Sequence, residues 1–358
     1  MDVLDVSGSL WSLVSAPMKD HDVMASVDEA ANQVDSRWTS STNHQCACHL
    51  SPSSFGGSSL LTLQGDQHRV RPICSFNTDY LIVVTITLGS RADVKGETMI
   101  LENKVSIISG IGPGLGQELA YSFAREGSDV VLVARTESKL RQVADEIARQ
   151  WPDRRVLVCP TDISDATQTQ SMIDATIAEF GRIDCLVNSA YVPPPFTMFE
   201  DANFDDWRKS FDITVFGTLQ LTQQVVPHMK ANGGGSIVFV NSMIQKKPLA
   251  TQSGYATSKG ALTVAARMLA KELGAYRIRV NSTFMGWMWG PPVEGYVDYA
   301  VSTGQDRAAV IAEITKDIPL GIIPDDADCA NAVAFLASDL ASVITGAELD
   351  VNGGEMML

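Results

Sequence analysis

The sequence has no apolar run long enough to cross a membrane and too little positive charge to suit a polyanionic partner. Its longest apolar run, residues 80–88 (YLIVVTITL), is about half of the roughly 20 residues that a membrane-spanning helix needs. Acidic residues outnumber basic ones by 42 to 27, giving a formal net charge of −15. Nucleic acids and anionic membranes require a basic surface, so we expect neither as a partner.

Signal and metal-binding patterns are also lacking. The N-terminus (MDVLDVSGSL) is acidic and has no basic region, so no signal peptide is expected. The six cysteines have no framework spacing, which predicts free thiols in a reducing cytoplasm. His44, Cys46, Cys48 and His49 (HQCACH) match no zinc pattern, because those patterns separate paired ligands by a longer loop. No metal site is predicted.

Two regions of the chain differ in composition and in hydrophobic periodicity. Residues 1–98 show no sustained hydrophobic period and contain clusters rich in Ser, Thr, Gly and Asn, which predict a poorly structured N-terminal extension. Residues 99–358 form the predicted domain. Met99 is a candidate translation start, a hypothesis that the intact mass of the native protein would exclude by showing residues upstream of it.

Within 99–358, short apolar runs alternate with segments of helical period. Examples are KVSIISG, DVVLVAR, IDCLVNSA and GSIVFVNS, and one helix is predicted over 204–230. Strands that alternate with helices of this length predict an α/β fold, a doubly wound parallel sheet with helices on both faces (Rossmann fold), as a single domain.

A glycine-rich turn follows the first predicted strand. In SGIGPGLGQELA, Gly110, Gly114 and Gly116 lie between a strand and a helix, where glycine lets backbone N–H groups approach a pyrophosphate. The second strand ends in LVAR without an acidic residue, and the guanidinium of Arg135 suits a 2′-phosphate. NADP(H) is therefore favoured as the cofactor, with NAD(H) as the alternative.

A Tyr–Lys pair marks the predicted catalytic helix. Tyr255 and Lys259 (YATSK) are four residues apart, so they share a helix face. With the glycine turn, with Asn188 in LVNSAY and with Ser242 thirteen residues before Tyr255, the pattern resembles the short-chain dehydrogenase/reductase family over 99–358. ITGAELDVNGG resembles the family's last strand.

The resemblance implies the site residues. Catalysis would use Ser242, Tyr255 and Lys259, with Thr214 where the family has an Asn of its proton relay. The implied cofactor contacts are Ser109, Gly110, Gly114, Leu115, Gly116, Arg135, Asp162, Ile163, Asn188, Ala190, Tyr255, Lys259, Gly286 and Met288. Gly290 stands where the family often has a Thr at the diphosphate, which implies weaker cofactor binding.

The implied chemistry interconverts an alcohol and a carbonyl compound. Tyr255 would be the general acid and base, and Ser242 would orient the substrate oxygen. Lys259, together with the positive nicotinamide of the cofactor, would lower the pKa of Tyr255 from its ordinary value near 10. Two apolar loops, predicted over 191–199 (YVPPPFTMF) and 284–297 (FMGWMWGPPVEGYV), offer walls for a bulky hydrophobic substrate. The aromatic and Met side chains concerned are Tyr191, Phe196, Trp287, Met288 and Trp289.

Alternatives stay open at this point. A 3-oxoacyl-[acyl-carrier-protein] reductase shares the fold, although an acidic carrier would need a basic surface. A dinucleotide-sensing protein without catalysis is the other alternative. Residues 255–274 have small and apolar side chains around much of the predicted helix, more than one buried stripe requires, which predicts a homodimer or homotetramer.

Overall fold

The computed structural model of the protein describes residues 99–357. The predictions for residues 1–98, including those for HQCACH, lie outside the described residues. The runs predicted as strands form strands, and most of them offer β-branched and other apolar side chains to both faces of a sheet. The last strand, ELDV, alternates acidic with apolar side chains. The described residues contain seven strands. They are β1 (Val105–Ser109), β2 (Asp129–Ala134), β3 (Val156–Pro160), β4 (Cys185–Asn188), β5 (Gly235–Ser242), β6 (Ile278–Met285) and β7 (Glu348–Val351).

Helices connect the strands. Those before β5 are α1 (Leu115–Arg125), α2 (Glu137–Gln150), α3 (Ala166–Phe180), α4 (Phe204–Phe211) and α5 (Thr218–Ala231). Those after β5 are α6 (Ser253–Leu273), α7 (Pro291–Ser302), α8 (Arg307–Thr315) and α9 (Asp326–Ala337). Among these helices none is long and apolar enough to span a membrane.

The strands form one parallel sheet in the order β3-β2-β1-β4-β5-β6-β7. Successive residues of a strand point to opposite faces, so Ile107 and Ile108 are both fully buried but in different layers. Ile108 packs in the layer that contains Phe123 of α1, and Ile107 packs in the layer that contains Leu221 of α5. The predicted doubly wound α/β fold is confirmed.

Two details differ from the sequence prediction. The helix predicted over 204–230 is interrupted by a π-helical turn, Asp212–Gly217, between α4 and α5. A π turn adds a residue to the helical ladder, which an apolar period of 3.6 does not reveal. The apolar loop predicted after β6 ends at Gly290, because Pro291 and Pro292 occupy the first turn of α7, where proline fits a helix.

The site lies where the order of the strands reverses. β1 is central, β2 leads the chain to one side, and β4 lies on the other side. Crevices at such points, beyond the carboxyl ends of parallel strands, are the usual ligand sites of open α/β sheets. A cleft of about 540 Å³ lies there, lined by the turn after β1, the ends of β2, β4 and β5, and residues of α6 and α7.

Candidate active site

The glycine turn is closely packed against its neighbours. Gly110 and Gly114 have φ values of +87° and +91°, which side chains rarely adopt. A Cβ on Gly110 would lie 2.5 Å from the backbone N of Ala190, and one on Gly116 would lie 2.2 Å from the carbonyl O of Gly110. Glycine at these positions keeps the turn tight and lets Leu115, the first residue of α1, line the cleft.

This turn fits the diphosphate of a dinucleotide. At the glycines no side chain covers the backbone N–H groups, so an anion can approach them. The N-terminus of the 11-residue helix α1 carries partial positive charge, which also favours an anion. Gly110, Gly114, Leu115 and Gly116 would hold the diphosphate there. The family's cofactor, when bound, supplies or accepts the hydride of the reaction.

The end of the cleft beside β2 carries positive charge at its rim. Arg135 follows β2 directly, is exposed and lines the cleft. Lys139, one helical turn further on, lines it too, although it was not predicted. Asp162 lies opposite, and a hydrogen bond from Ser164 is the main cause that lowers its pKa, with a smaller contribution from Arg135. Ile163 is the next residue of the same lining.

The three implied catalytic side chains line the same cleft. Ser242 ends β5, and Tyr255 and Lys259 lie in the first two turns of α6. Lys259 is buried, and its ammonium donates a hydrogen bond of 2.8 Å to the carbonyl O of Val240. The ring of Tyr191 packs 5.8 Å from the ring of Tyr255, centroid to centroid. Strand end and helix start thus bring the predicted residues together.

Among the protein's own groups, burial has the largest effect on the pKa of Tyr255, and the predicted lowering by Lys259 together with the nicotinamide stays a prediction. Burial raises the pKa of Tyr255, Tyr191 adds to the increase, and a hydrogen bond from Ser242 opposes it. Burial also lowers the pKa of Lys259 to about 7, so its charge is only partly present near neutral pH. Its Nζ lies 5.9 Å from the centre of the Tyr255 ring. Burial is the largest cause of both pKa shifts.

Three predicted site residues are buried behind the cleft. The hydroxyl of Ser109 donates to the carbonyl O of Val187 at 3.2 Å, and the amide of Asn188 donates to the hydroxyl of Thr222 at 3.1 Å. Thr214 lies in the π turn, and its hydroxyl accepts a hydrogen bond of 3.1 Å from the backbone N of Val192.

These contacts show what the three side chains do within the protein, and their roles toward cofactor and substrate stay predictions. Ser109 joins β1 to β4 and Asn188 joins β4 to α5, and the contact of either residue with a cofactor stays a prediction. The hydroxyl of Thr214 fixes the start of the loop after β4, and its part in a proton relay stays a prediction. Sequence periodicity does not distinguish a side chain that faces a cleft from one buried just behind it, because both lie on the buried faces of strands and helices.

The other end of the cleft is mainly apolar. Tyr191, Trp287 and Met288 of the predicted walls line it, together with Met243 and Leu249, which were not predicted. Phe196 and Trp289 lie outside the lining. Phe196 is 62% exposed, and Trp289 packs against the small core formed by α7 and α8.

Gly286 and Ala190 complete the cofactor positions that line the cleft, and Asp326 is a further lining residue that was not predicted. Asp326 begins α9, more than 200 residues after the glycine turn that it approaches. No local pattern indicates that contact, because it arises only when α9 packs against α1. The sequence could have indicated Lys139 as a cleft residue, because it lies one helical turn after Arg135.

Comparison with known proteins identifies the family. A family model described as enoyl-(acyl carrier protein) reductase matches residues 110–355. The 7alpha-hydroxysteroid dehydrogenase of Escherichia coli (strain K12) is 32% identical over 264 residues, which cover 72% of this chain and 96% of that protein. The L-fucose dehydrogenase of Bos taurus is 33% identical over 251 residues, which cover 70% of this chain and 88% of that protein.

A solved structure shows the same architecture. The L-sorbose reductase from Gluconobacter frateurii, complexed with NADPH and L-sorbose, is 27% identical with a TM-score of 0.69, covering 73% of this chain and 99% of that one. The fold, the glycine turn and these matches define a nicotinamide-dependent oxidoreductase of the Rossmann type. The chain belongs to the short-chain dehydrogenase/reductase family and is an enzyme that acts on CH–OH groups.

Proposed function

We propose that the enzyme interconverts a bulky apolar alcohol and its ketone or aldehyde, with NADP(H) as the cofactor. One observation carries the proposal: a single cleft has Arg135 at one end, Ser242 and Tyr255 in its floor, and an apolar wall that includes Trp287 at the other end. The relatives named above include steroid and sugar enzymes, so their names leave the substrate class open. The wall of this chain's own cleft favours the apolar class.

Tyr255 is the proposed proton donor to a carbonyl oxygen. Its raised pKa keeps the phenol protonated near neutral pH, which is the form that reduction of a carbonyl requires. Ser242, half-buried at the end of β5, would donate its hydroxyl hydrogen to the same oxygen and fix its position. Lys259 closes the floor of the cleft behind Tyr255, where its hydrogen bond to Val240 holds α6 against β5.

The 2′-phosphate of NADP(H) is the proposed ligand of Arg135 and Lys139. Arg135→Ala is expected to weaken NADPH binding by about 10- to 100-fold, because a hydrogen bond to a charged group contributes about 1.5–3 kcal/mol. NADH binding should change by less than about twofold, since NADH has no phosphate there. Titration of nicotinamide fluorescence measures both dissociation constants.

Arg141→Ala is the matched control for Arg135→Ala. Arg141 is an exposed arginine on α2 that pairs with Glu137 and lies outside the cleft. This variant should bind NADPH as the unaltered protein does. Equal losses for NADPH and NADH in Arg135→Ala would show a general effect on the fold and would reject the proposed contact.

Trp287 is the proposed anchor of the apolar substrate. Trp287→Ala should raise KM for an apolar ketone by about tenfold or more, because burying a large apolar side chain contributes roughly 1.5–3 kcal/mol. NADPH affinity should stay unchanged. Phe196→Ala is the control, since Phe196 is an exposed aromatic outside the cleft lining. Equal KM values for the two variants would remove Trp287 from the substrate site.

A 3-oxoacyl-[acyl-carrier-protein] substrate is disfavoured by charge. Lys247 lies at the rim of the cleft, but it pairs with Glu355 at 3.0 Å and with Asp317 at 3.3 Å. Lys246 next to it pairs with Glu348 at 3.1 Å. Acids of this chain therefore neutralise both lysines, and neither offers a free positive charge to an acidic carrier protein.

Self-association through α6 is part of the proposal. Val264 and Met268 are one helical turn apart on α6 and are 57% and 55% exposed. Phe216 in the π turn is 63% exposed. Apolar side chains of this size on neighbouring elements favour a homodimer or homotetramer. Light scattering would contradict it by giving the mass of a single chain.

A reducing compartment, the cytoplasm, is the proposed location. Cys159, Cys185 and Cys329 are buried and free. Burial raises the pKa of each thiol, to about 11 for Cys159 and to about 12 for the other two. Such thiols are poor nucleophiles and serve as small apolar core residues.

A further inference from the structure

An acidic side chain lies against the diphosphate-binding turn. Asp326 is the first residue of α9 and is only 8% exposed. Its Oδ2 would lie 2.8 Å from a Cβ built on Gly114 and 2.3 Å from one built on Gly290. The absence of side chains at these two glycines thus makes room for the carboxyl group within the lining of the cleft.

The surroundings of Asp326 are acidic. The negative charges of Glu118 in α1, Glu294 in α7 and the neighbouring Asp325 raise the pKa of its carboxyl group. Its own charge raises the pKa of Tyr191, in the loop after β4. Among residues 99–357, no lysine, arginine or histidine forms an ion pair with Asp326. The N-terminus of α9 contributes partial positive charge and favours the carboxylate. Burial and the nearby acids act in the other direction and raise the pKa of Asp326 to about 6.

From this geometry we propose that Asp326 links dinucleotide binding to protonation, so that the enzyme binds its cofactor more tightly when this carboxyl group is neutral. A diphosphate held by Gly110, Gly114 and the start of α1 brings two negative charges to the turn that the carboxylate borders. Like charges in a site of reduced dielectric repel, so binding either takes up a proton at Asp326 or loses affinity. This inference rests on the proposed function, since it requires the dinucleotide to bind at this turn.

The sign of the effect follows from linkage. Well below the pKa of the free protein, Asp326 is protonated in both states and affinity is highest. The bound diphosphate raises the pKa of Asp326 further. Affinity therefore falls as the pH rises from the pKa of Asp326 in the free protein to its pKa in the complex. Above the pKa in the complex, the affinity is low and constant. A change of about tenfold or more corresponds to a pKa difference of about one unit or more.

The test uses the full chain and NADP⁺. Dissociation constants are measured by quenching of tryptophan fluorescence from about pH 5.5 to about pH 8.5, for the unaltered protein, Asp326→Asn and Asp328→Asn. The 2′-phosphate of NADP⁺ also titrates near pH 6, but it does so equally for all three proteins. Asp328 is an exposed acid of the same helix turn, so Asp328→Asn makes the same change in net charge outside the cleft.

Asp326→Asn should bind NADP⁺ about tenfold more tightly than the unaltered protein at about pH 8, with the two curves converging at low pH. Asp328→Asn should follow the unaltered protein. Calorimetry of the unaltered protein in buffers of different ionisation enthalpy should show net proton uptake at about pH 7.5, where the free 2′-phosphate is already ionised. This second measurement needs no variant to fold.

Two failures are distinguishable. Parallel pH profiles for the unaltered protein and Asp326→Asn, together with no proton uptake, would overturn the role of Asp326 and leave the proposed function standing. Absence of binding of both NADP⁺ and NAD⁺ to all three proteins would overturn the proposed function, and with it this inference.

Discussion

Tyr255→Phe is expected to lose about a thousandfold or more of kcat while it binds NADPH as tightly as the unaltered enzyme. General acid–base groups contribute about 10²- to 10⁴-fold to rate. A second phenol, Tyr191, lines the cleft with the centre of its ring 5.2 Å from the ammonium of Lys259, so the assignment of the acid needs a test of each tyrosine. The ring that packs against Tyr191 is kept, so the variant tests the hydroxyl alone. Steady-state turnover and nicotinamide fluorescence measure the two quantities.

Tyr191→Phe is the companion variant. It removes the neighbouring hydroxyl and keeps the neighbouring ring, whose centroid lies 5.8 Å from that of Tyr255. We expect it to be at least about a hundredfold more active than Tyr255→Phe, because Tyr191 forms part of the wall and is not the proposed proton donor. Similar losses in the two variants would mean that the acid has been assigned to the wrong tyrosine, or is shared between them.

Gly116→Ala is expected to weaken dinucleotide binding by roughly 10- to 100-fold. Its Cβ would lie 2.2 Å from the carbonyl O of Gly110, and neither backbone can yield without opening the turn. Forcing one extra methyl into a closely packed position costs about 1–3 kcal/mol, and here the displaced atoms are those that would hold the diphosphate. Cofactor titration and thermal unfolding together measure the effect.

The control for Gly116→Ala is Gly295→Ala. Gly295 lies within α7, and a Cβ there meets no atom within 4 Å. Alanine inside a helix is favoured over glycine, so this variant should be at least as stable as the unaltered protein and should bind the cofactor equally well. If Gly116→Ala bound NADPH normally, the turn after β1 would not be the diphosphate site.

The sheet could be predicted from sequence because its signal is local. Parallel strands are buried on both faces, so runs such as VSIIS and IVFV are buried throughout and mainly apolar, and each is followed by a helix of ordinary length. The π turn at Asp212–Gly217 and the start of α7 at Pro291 were missed for a different reason. Both depend on backbone geometry that apolar periodicity does not encode.

The site was predictable in part. Gly110, Gly116 and Arg135 line the cleft because their positions follow from being next to strands β1 and β2. The pKa values of the site residues could not be predicted from the sequence. Whether Lys259 lowers the pKa of Tyr255 depends on how far water is removed from both groups, and only the packing of α6 against β5 determines that. Asp326 was missed because its contact with Gly114 joins distant parts of the chain.

The most direct test of the account follows the absorbance of reduced nicotinamide when the full chain is mixed with NADPH and a panel of carbonyl compounds. The panel pairs multi-ring apolar ketones with sugars such as L-sorbose, and Tyr255→Phe is run beside the unaltered enzyme. We expect NADPH to be consumed with the apolar ketones at a kcat/KM about tenfold or more above that of the sugars. Tyr255→Phe should lose about a thousandfold or more of its activity with both kinds of substrate. Faster turnover of the sugars, or equal turnover with NADH, would contradict the account.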